Sequence, residues 1–161
     1  TEYDNRVKSQ MAQAEKDLKI DDTELDVESI NTPILHAKYL KHFSTYSLML
    51  TKAESEYSKL YKSKWLFYTG KADPEEYKES NFELKVLRQD VGTFIDADEE
   101  IIKQRQKVNY LKIVKDYLEN ILKQIGNRGF QIKNAIDWKR FTEGGLWYSV
   151  LVMARVEKTL I

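Results

Sequence analysis

The chain has 161 residues, of which 42% are hydrophobic and 12% aromatic; that supplies apolar surface for a genuine core and excludes wholesale disorder. With 32% charged residues, two prolines and six glycines, it fits long polar-faced helices better than a turn-rich β sandwich, so the expected class is all-α, as a single helical domain over 1–161. Lys plus Arg and Asp plus Glu both number 26, so a polyanion has to be held by a local patch and not by the surface as a whole.

Cysteine is absent, which excludes a disulfide framework, a thiolate metal site and a cysteine nucleophile, and fits a reducing compartment. Thr1 in place of Met is expected to mark a trimmed or partial chain. The amino end, Thr1 to Arg6, carries acids and no apolar run, unlike a secretory signal. The most apolar stretch, Leu146 to Ala154, falls short of the roughly 20 residues that span a bilayer. No membrane partner and a cytoplasmic location are therefore expected.

The first segment, Tyr3 to Leu18, is polar, with Val7, Met11, Ala14 and Leu18 recurring three and four apart. That narrow stripe predicts a weakly held helix. Thr23 with Asp26 gives a modest helix-start signal. Thr32 before Pro33 gives a stronger one, because a first-turn proline loses only an N–H that is already unpaired.

A long helix is expected from there towards Tyr68. His36, Tyr39, Phe43, Tyr46, Leu50, Ala53, Tyr57, Leu60, Lys64 and Phe67 alternate at three and four, the period of a supercoiled seam. This seam packs either on helices of the same chain or on a neighbouring subunit; its aromatics favour a bundle or ring over a two-stranded zipper. Gly70 is a candidate left-handed cap, and Pro74 a stop or restart.

From Phe82 to Ile95, Leu84, Val86, Val91, Phe94 and Ile95 surround Gly92; a short strand pair and a broken helix both fit. Asp96, with Glu99 at the capping-box spacing, opens a second strong helix towards Ile125. Its seam is Leu111, Val114, Leu118, Ile121 and Ile125. Gly126 and Gly129 read as a turn, followed by a shorter helix from Phe130 to Phe141 that Gly144 and Gly145 close.

Chemistry-bearing constellations are sparse. His36 and His42 are six apart and point to opposite helix faces, so they share no metal; His36 reads as a packed seam residue. The runs Asp21-Asp22, Glu75-Glu76 and Asp96, Asp98, Glu99 and Glu100 are read as helix starts, where acids complement the dipole. No phosphate loop is present. The chain reads as non-catalytic, with neither metal nor cofactor.

One segment is richer. Lys52, Lys59, Lys62, Lys64 and Lys71 are interleaved with Tyr57, Tyr61, Trp65, Phe67 and Tyr68, and no acid interrupts them between Glu56 and Asp73. Ammonium groups displace counterions from phosphates while ring faces stack on bases of any identity, so the combination suits single-stranded nucleic acid. The same residues equally fit a solvated face beside a finished core.

At this segment the sequence resembles the UvsY family, recombination mediators of large tailed phages. The likeness is carried by Lys62-Ser63-Lys64-Trp65-Leu66-Phe67-Tyr68-Thr69-Gly70-Lys71-Ala72-Asp73 and by Asn127-Arg128-Gly129-Phe130-Gln131-Ile132-Lys133. It covers about residues 20–145, leaving 1–19 and 146–161 as extensions without a transferable role.

The resemblance implies a non-enzymatic homo-oligomer, a ring of six or seven subunits. Such a ring binds single-stranded DNA, displaces single-strand-binding protein and loads a RecA-like recombinase. It puts Lys62 and Lys64 on the family's DNA-contacting basic pair, with Lys59, Lys71, Trp65 and Tyr68 as companions. Leu111, Val114, Leu118, Ile121, Ile125 and Phe130 fall in the part that supports assembly. The alternative is a helical oligomeric scaffold that binds only protein. In the tail, Trp147, Val150, Leu151 and Ala154 have helical spacing suited to a subunit contact.

Overall fold

The computed structural model describes residues 2–80 and 85–159, with the side chains of 5–80 and 85–144. Five helices follow in order: α1 Glu2–Leu18, α2 Leu25–Tyr68, α3 Pro74–Ser80, α4 Val91–Ala97 and α5 Glu99–Thr159. No strand occurs among the described residues. The chain divides into two compact units, one of residues 1–40 with 119–161 and one of residues 41–118, and α2 and α5 contribute to both.

In the first unit, Ala14 of α1, Leu25 and Tyr39 of α2, and Ile121, Ile125, Arg128 and Ile132 of α5 are buried. The last four step by four, three and four, a single inward stripe in which arginine occupies one place. Arg128 is 4% exposed. Its guanidinium donates to the Leu18 carbonyl at 2.7 Å and the Lys19 carbonyl at 3.3 Å and pairs with Glu28. The carbonyls at the end of a helix have no partner within it; here a side chain from α5 satisfies them for α1. The other oxygen of Glu28 accepts from the Asp21 N–H at 3.1 Å, so one carboxylate ties the α1–α2 turn to the clamp. Asp17 adds a second tie, accepting from Lys38 and from the Tyr39 hydroxyl at 2.9 Å.

In the second unit, Leu50 and Ala53 of α2 pack on Val108 and Leu111 of α5, flanked by Tyr46, Tyr57 and Tyr110. A second cluster joins Val91 and Ile95 of α4 to Ile101 of α5, with Leu60, Trp65, Tyr68 and Val86 laid against it. Of the expected α2 seam, Tyr39, Leu50 and Ala53 are buried and Phe43, Tyr46, Tyr57, Leu60, Lys64 and Phe67 half-buried. His36 is exposed, contrary to its reading as a packed residue, because Leu35 and Tyr39 carry the inward side at that level.

Three boundaries differ from the sequence reading. Pro33 lies inside α2, not at its start. It removes the hydrogen bond to the Ser29 carbonyl, a cost of about 3 kcal/mol in a helix interior, but both residues are exposed, so water reaches that oxygen. The helix begins earlier because Leu25 is buried and the Asp21 side chain folds the preceding turn, accepting from the Thr23 N–H at 2.9 Å and hydroxyl at 2.6 Å.

Gly126, Gly129 and Gly144 do not break α5. Each costs a helix about 1 kcal/mol relative to alanine, a penalty outweighed here by the buried stripe from Ile121 to Ile132 that passes straight through the first two. Within the Phe82–Ile95 segment, residues 85–90 are non-helical and lead into α4, which holds Val91, Phe94 and Ile95; Phe82 and Leu84 lie outside the described residues. The side chains of Trp147, Val150, Leu151 and Ala154 also lie outside them.

Replacing Arg128 with methionine keeps volume but leaves Glu28 and two helix-end carbonyls unpaired. A loss of about 3–5 kcal/mol is expected in denaturant unfolding, against less than about 0.5 kcal/mol for Gln124→Ala at an exposed position of the same helix. Equal midpoints for the two variants would show that the clamp carries no stability.

Candidate nucleic-acid interface

The end of α2 is built by a Schellman cap. Gly70 adopts φ +77°, its N–H donates to the Phe67 carbonyl at 3.1 Å, and the Lys71 N–H reaches back to the Leu66 carbonyl at 2.8 Å. Glycine is needed at that φ, since an L side chain there is strained. The chain then returns through α3. The Tyr77 hydroxyl donates to the Phe67 carbonyl at 2.7 Å and accepts from the Ala72 N–H at 3.1 Å, while its ring stacks on Phe67 with centroids 5.0 Å apart.

Opposite this cap, Asp98 precedes α5 in an extended conformation. One of its oxygens accepts from the N–H groups of Glu100 at 3.0 Å and Ile101 at 3.4 Å, making Asp98 the N-cap. The sequence reading placed this role on Asp96, two residues early; Asp96 lies in α4 and pairs with Arg105. The other Asp98 oxygen accepts from the Tyr68 hydroxyl at 2.9 Å and from Lys64 at 3.0 Å, and Lys64 also meets Glu100 at 3.2 Å.

Charge follows from that geometry. Burial alone would raise the Asp98 carboxyl, but hydrogen bonds from Lys64 and Tyr68 outweigh it and hold the group below its ordinary range. Burial alone would lower the Lys64 ammonium, and its two carboxylates instead raise it. Burial and the bond to Asp98 both push the Tyr68 phenol upward.

The sequence-predicted site residues therefore separate into two sets. Lys59, Lys62 and Lys71 are exposed, and none is ion-paired among the described residues. Lys59, Lys62 and Trp65 follow one another at steps of three, neighbours on the helix surface, and the Lys71 ammonium lies 4.9 Å from the Trp65 ring centre. This run of three cations and an indole is one continuous surface. Lys64, 21% exposed, is turned the other way into two carboxylates. Tyr68 is half-buried, its hydroxyl committed to Asp98 and its ring against Phe67 and Phe94.

Two participants had no distinguishing signal in the sequence. Asp98 was one acid in a run of them. Arg88 lies in a stretch of ambiguous period, yet lines a groove with Trp65, Thr69 and Lys71.

Of the residues tied by the resemblance to assembly, Leu111, Val114, Leu118, Ile121 and Ile125 are buried within the chain, whereas Phe130 is 71% exposed. Trp138 and Phe141 are also exposed, their rings 5.9 Å apart. No metal-holding group of side chains, and no helix long and apolar enough to cross a membrane, occurs among the described residues.

Residues 13–145 match the family of recombination, repair and ssDNA-binding protein UvsY. The chain belongs to the UvsY family. The match begins at residue 13, so the last third of α1 is part of it, earlier than the start near residue 20 read from the motifs. The recombination protein UvsY of Enterobacteria phage T4 is 27% identical over 139 residues, 86% of this chain and 98% of that protein. Two crystal structures of the bacteriophage T4 recombination mediator protein UvsY superpose with TM-scores of 0.75 and 0.73 at 26% identity. They cover 84% and 82% of this chain and 96% and 97% of theirs. UvsY proteins are all-helical, and the family's work is recombination, repair and single-strand binding.

Protonating Asp98 weakens the α5 cap and removes one of the two carboxylate partners of Lys64. Because its folded value is depressed, the stabilisation is present above the ordinary 3.8 and lost as pH falls through the lower folded value. Lys64 runs the opposite way, its contribution full below 10.5 and lost as pH rises past the raised value. Asp98→Asn is expected to lower stability by about 1–3 kcal/mol at neutral pH and to flatten the acid limb of a melting-temperature profile. An acid limb identical to wild type would assign that loss to other carboxylates.

Proposed function

We propose that the chain is a recombination mediator that binds single-stranded DNA, helps displace single-strand-binding protein and loads a RecA-like recombinase, acting as a homo-oligomer of six or seven subunits in the host-cell cytoplasm. The observation that carries this reading is the row of exposed Lys59 and Lys62 beside the half-buried Trp65, with exposed Lys71 above the indole, in a chain of a single-strand-binding family.

Lys59, Lys62 and Lys71 contact phosphates, and Trp65 offers a stacking surface. Lys64 and Tyr68 serve the same strand indirectly: by holding Asp98 they fix the end of α2 from which the row projects. A formally neutral subunit grips weakly alone, and repeating one patch around a ring raises avidity by orders of magnitude. In that assembly Phe130, exposed in the single chain, is the contact residue among those the resemblance ties to assembly.

Each phosphate contact to a single strand contributes about 0.7 to the slope of log affinity against log salt. Lys59→Ala with Lys62→Ala is expected to reduce that slope by roughly 1.4 and to weaken binding at low salt by tenfold or more. The fold is spared because both side chains are exposed. An unchanged slope and affinity would remove the row from the interface. An intact oligomer that binds no DNA at low salt would favour a protein-only scaffold.

A further inference from the structure

Beside the cationic row, Trp65, Thr69, Lys71, Val86, Arg88 and Val91 line a groove of about 210 Å³. We propose that it receives one unstacked base of a bound single strand, so that this chain holds DNA by a base as well as by phosphates. The inference rests on the single-strand reading above and adds Arg88, Val86 and Thr69 to the residues that serve it.

Its volume lies below the roughly 300 Å³ at which drug-sized ligands are usually held, leaving room for one flat ring system without its sugar and phosphate. The lining is divided as such a ring requires. Val91 is buried and Val86 half-buried, and with the indole they give the groove its apolar lining. Lys71 and Arg88 are exposed at the rim, where the phosphates flanking an inserted base would lie. The Thr69 hydroxyl donates to the carbonyls of Trp65 at 2.7 Å and Leu66 at 3.2 Å. With its proton engaged, its oxygen is left as an acceptor for a base N–H.

The Lys71 ammonium covers the indole in the free chain. An exposed ammonium gains little from a ring face, whereas a base gains more by stacking on it. An entering strand therefore exchanges one contact for two: the base takes the ring and Lys71 moves to a phosphate. Two rim cations select a polyanionic chain over an uncharged aromatic peptide.

The full-length oligomer is titrated with a dT oligonucleotide and with an abasic oligonucleotide of equal length and equal phosphate count. The base-bearing strand is expected to bind on the order of tenfold more tightly. Val86→Phe fills the groove and should abolish that preference, leaving abasic-strand affinity and salt slope unchanged. Retention of the preference by a folded Val86→Phe protein overturns the proposal.

A second measurement leaves the groove intact. With Trp138→Phe and Trp147→Phe, Trp65 is the remaining indole, and dT but not the abasic strand should quench it; a bound dT strand that leaves its emission unchanged also overturns the proposal. Equal binding of both strands removes the base groove alone. Binding of neither removes the single-strand reading with it.

Discussion

One carboxylate fixes the end of the molecule that carries the cationic row. Asp98 accepts two backbone N–H groups with one oxygen and the Lys64 ammonium and Tyr68 hydroxyl with the other. This fills the roughly four acceptor positions of an ionised carboxylate. It thereby caps the start of α5 and grips the last turns of α2 in the same act. Without it, Lys64 would be a partly buried cation facing only Glu100, and the second core cluster, in which Trp65 and Tyr68 lean on Ile101, would lose its polar border. The position of the Trp65 ring, and so of the Lys71 ammonium above it, follows from that grip.

Much of this was legible because it rests on periodicity. The three-four seam of α2 records which side faces α5, and it names most of the residues found turned inward. Gly70 was readable because one backbone conformation there demands glycine. Pro33 and the α5 glycines were misleading for a common reason. Local propensities weigh about 1–3 kcal/mol at one position, whereas a buried stripe sums over many residues and overrides them. Ile125, Arg128 and Ile132 keep α5 helical across Gly126 and Gly129. His36 failed in the other direction: period alone cannot say where along a seam the opposing surface ends.

Charge shows the same division between what a sequence lists and what a fold arranges. Four lysines from Lys59 to Lys71 look equivalent in the sequence, yet Lys64 is diverted into Asp98 and Glu100 while Lys59, Lys62 and Lys71 remain in solvent. Neutrality overall is therefore compatible with a cationic strip locally. Three of the acids of this unit are held in pairs, Glu56 with Lys107, Glu54 with Lys112 and Asp96 with Arg105.

The two motifs that carried the family resemblance turn out to do different physical work. In the first, Lys62 faces solvent and Trp65 is only half-buried, so their chemistry is available to a ligand. In the second, Arg128 is turned inside the chain, closing the end of α1 and holding Glu28, while Phe130 two residues on is exposed. An arginine presents five donors in a fixed fork, and its two terminal nitrogens here satisfy two backbone carbonyls and a carboxylate at once, which no apolar residue can do. Its place in a buried stripe is thus explained by backbone groups that have no other partner, and a basic residue in a DNA-binding family need not be a DNA contact.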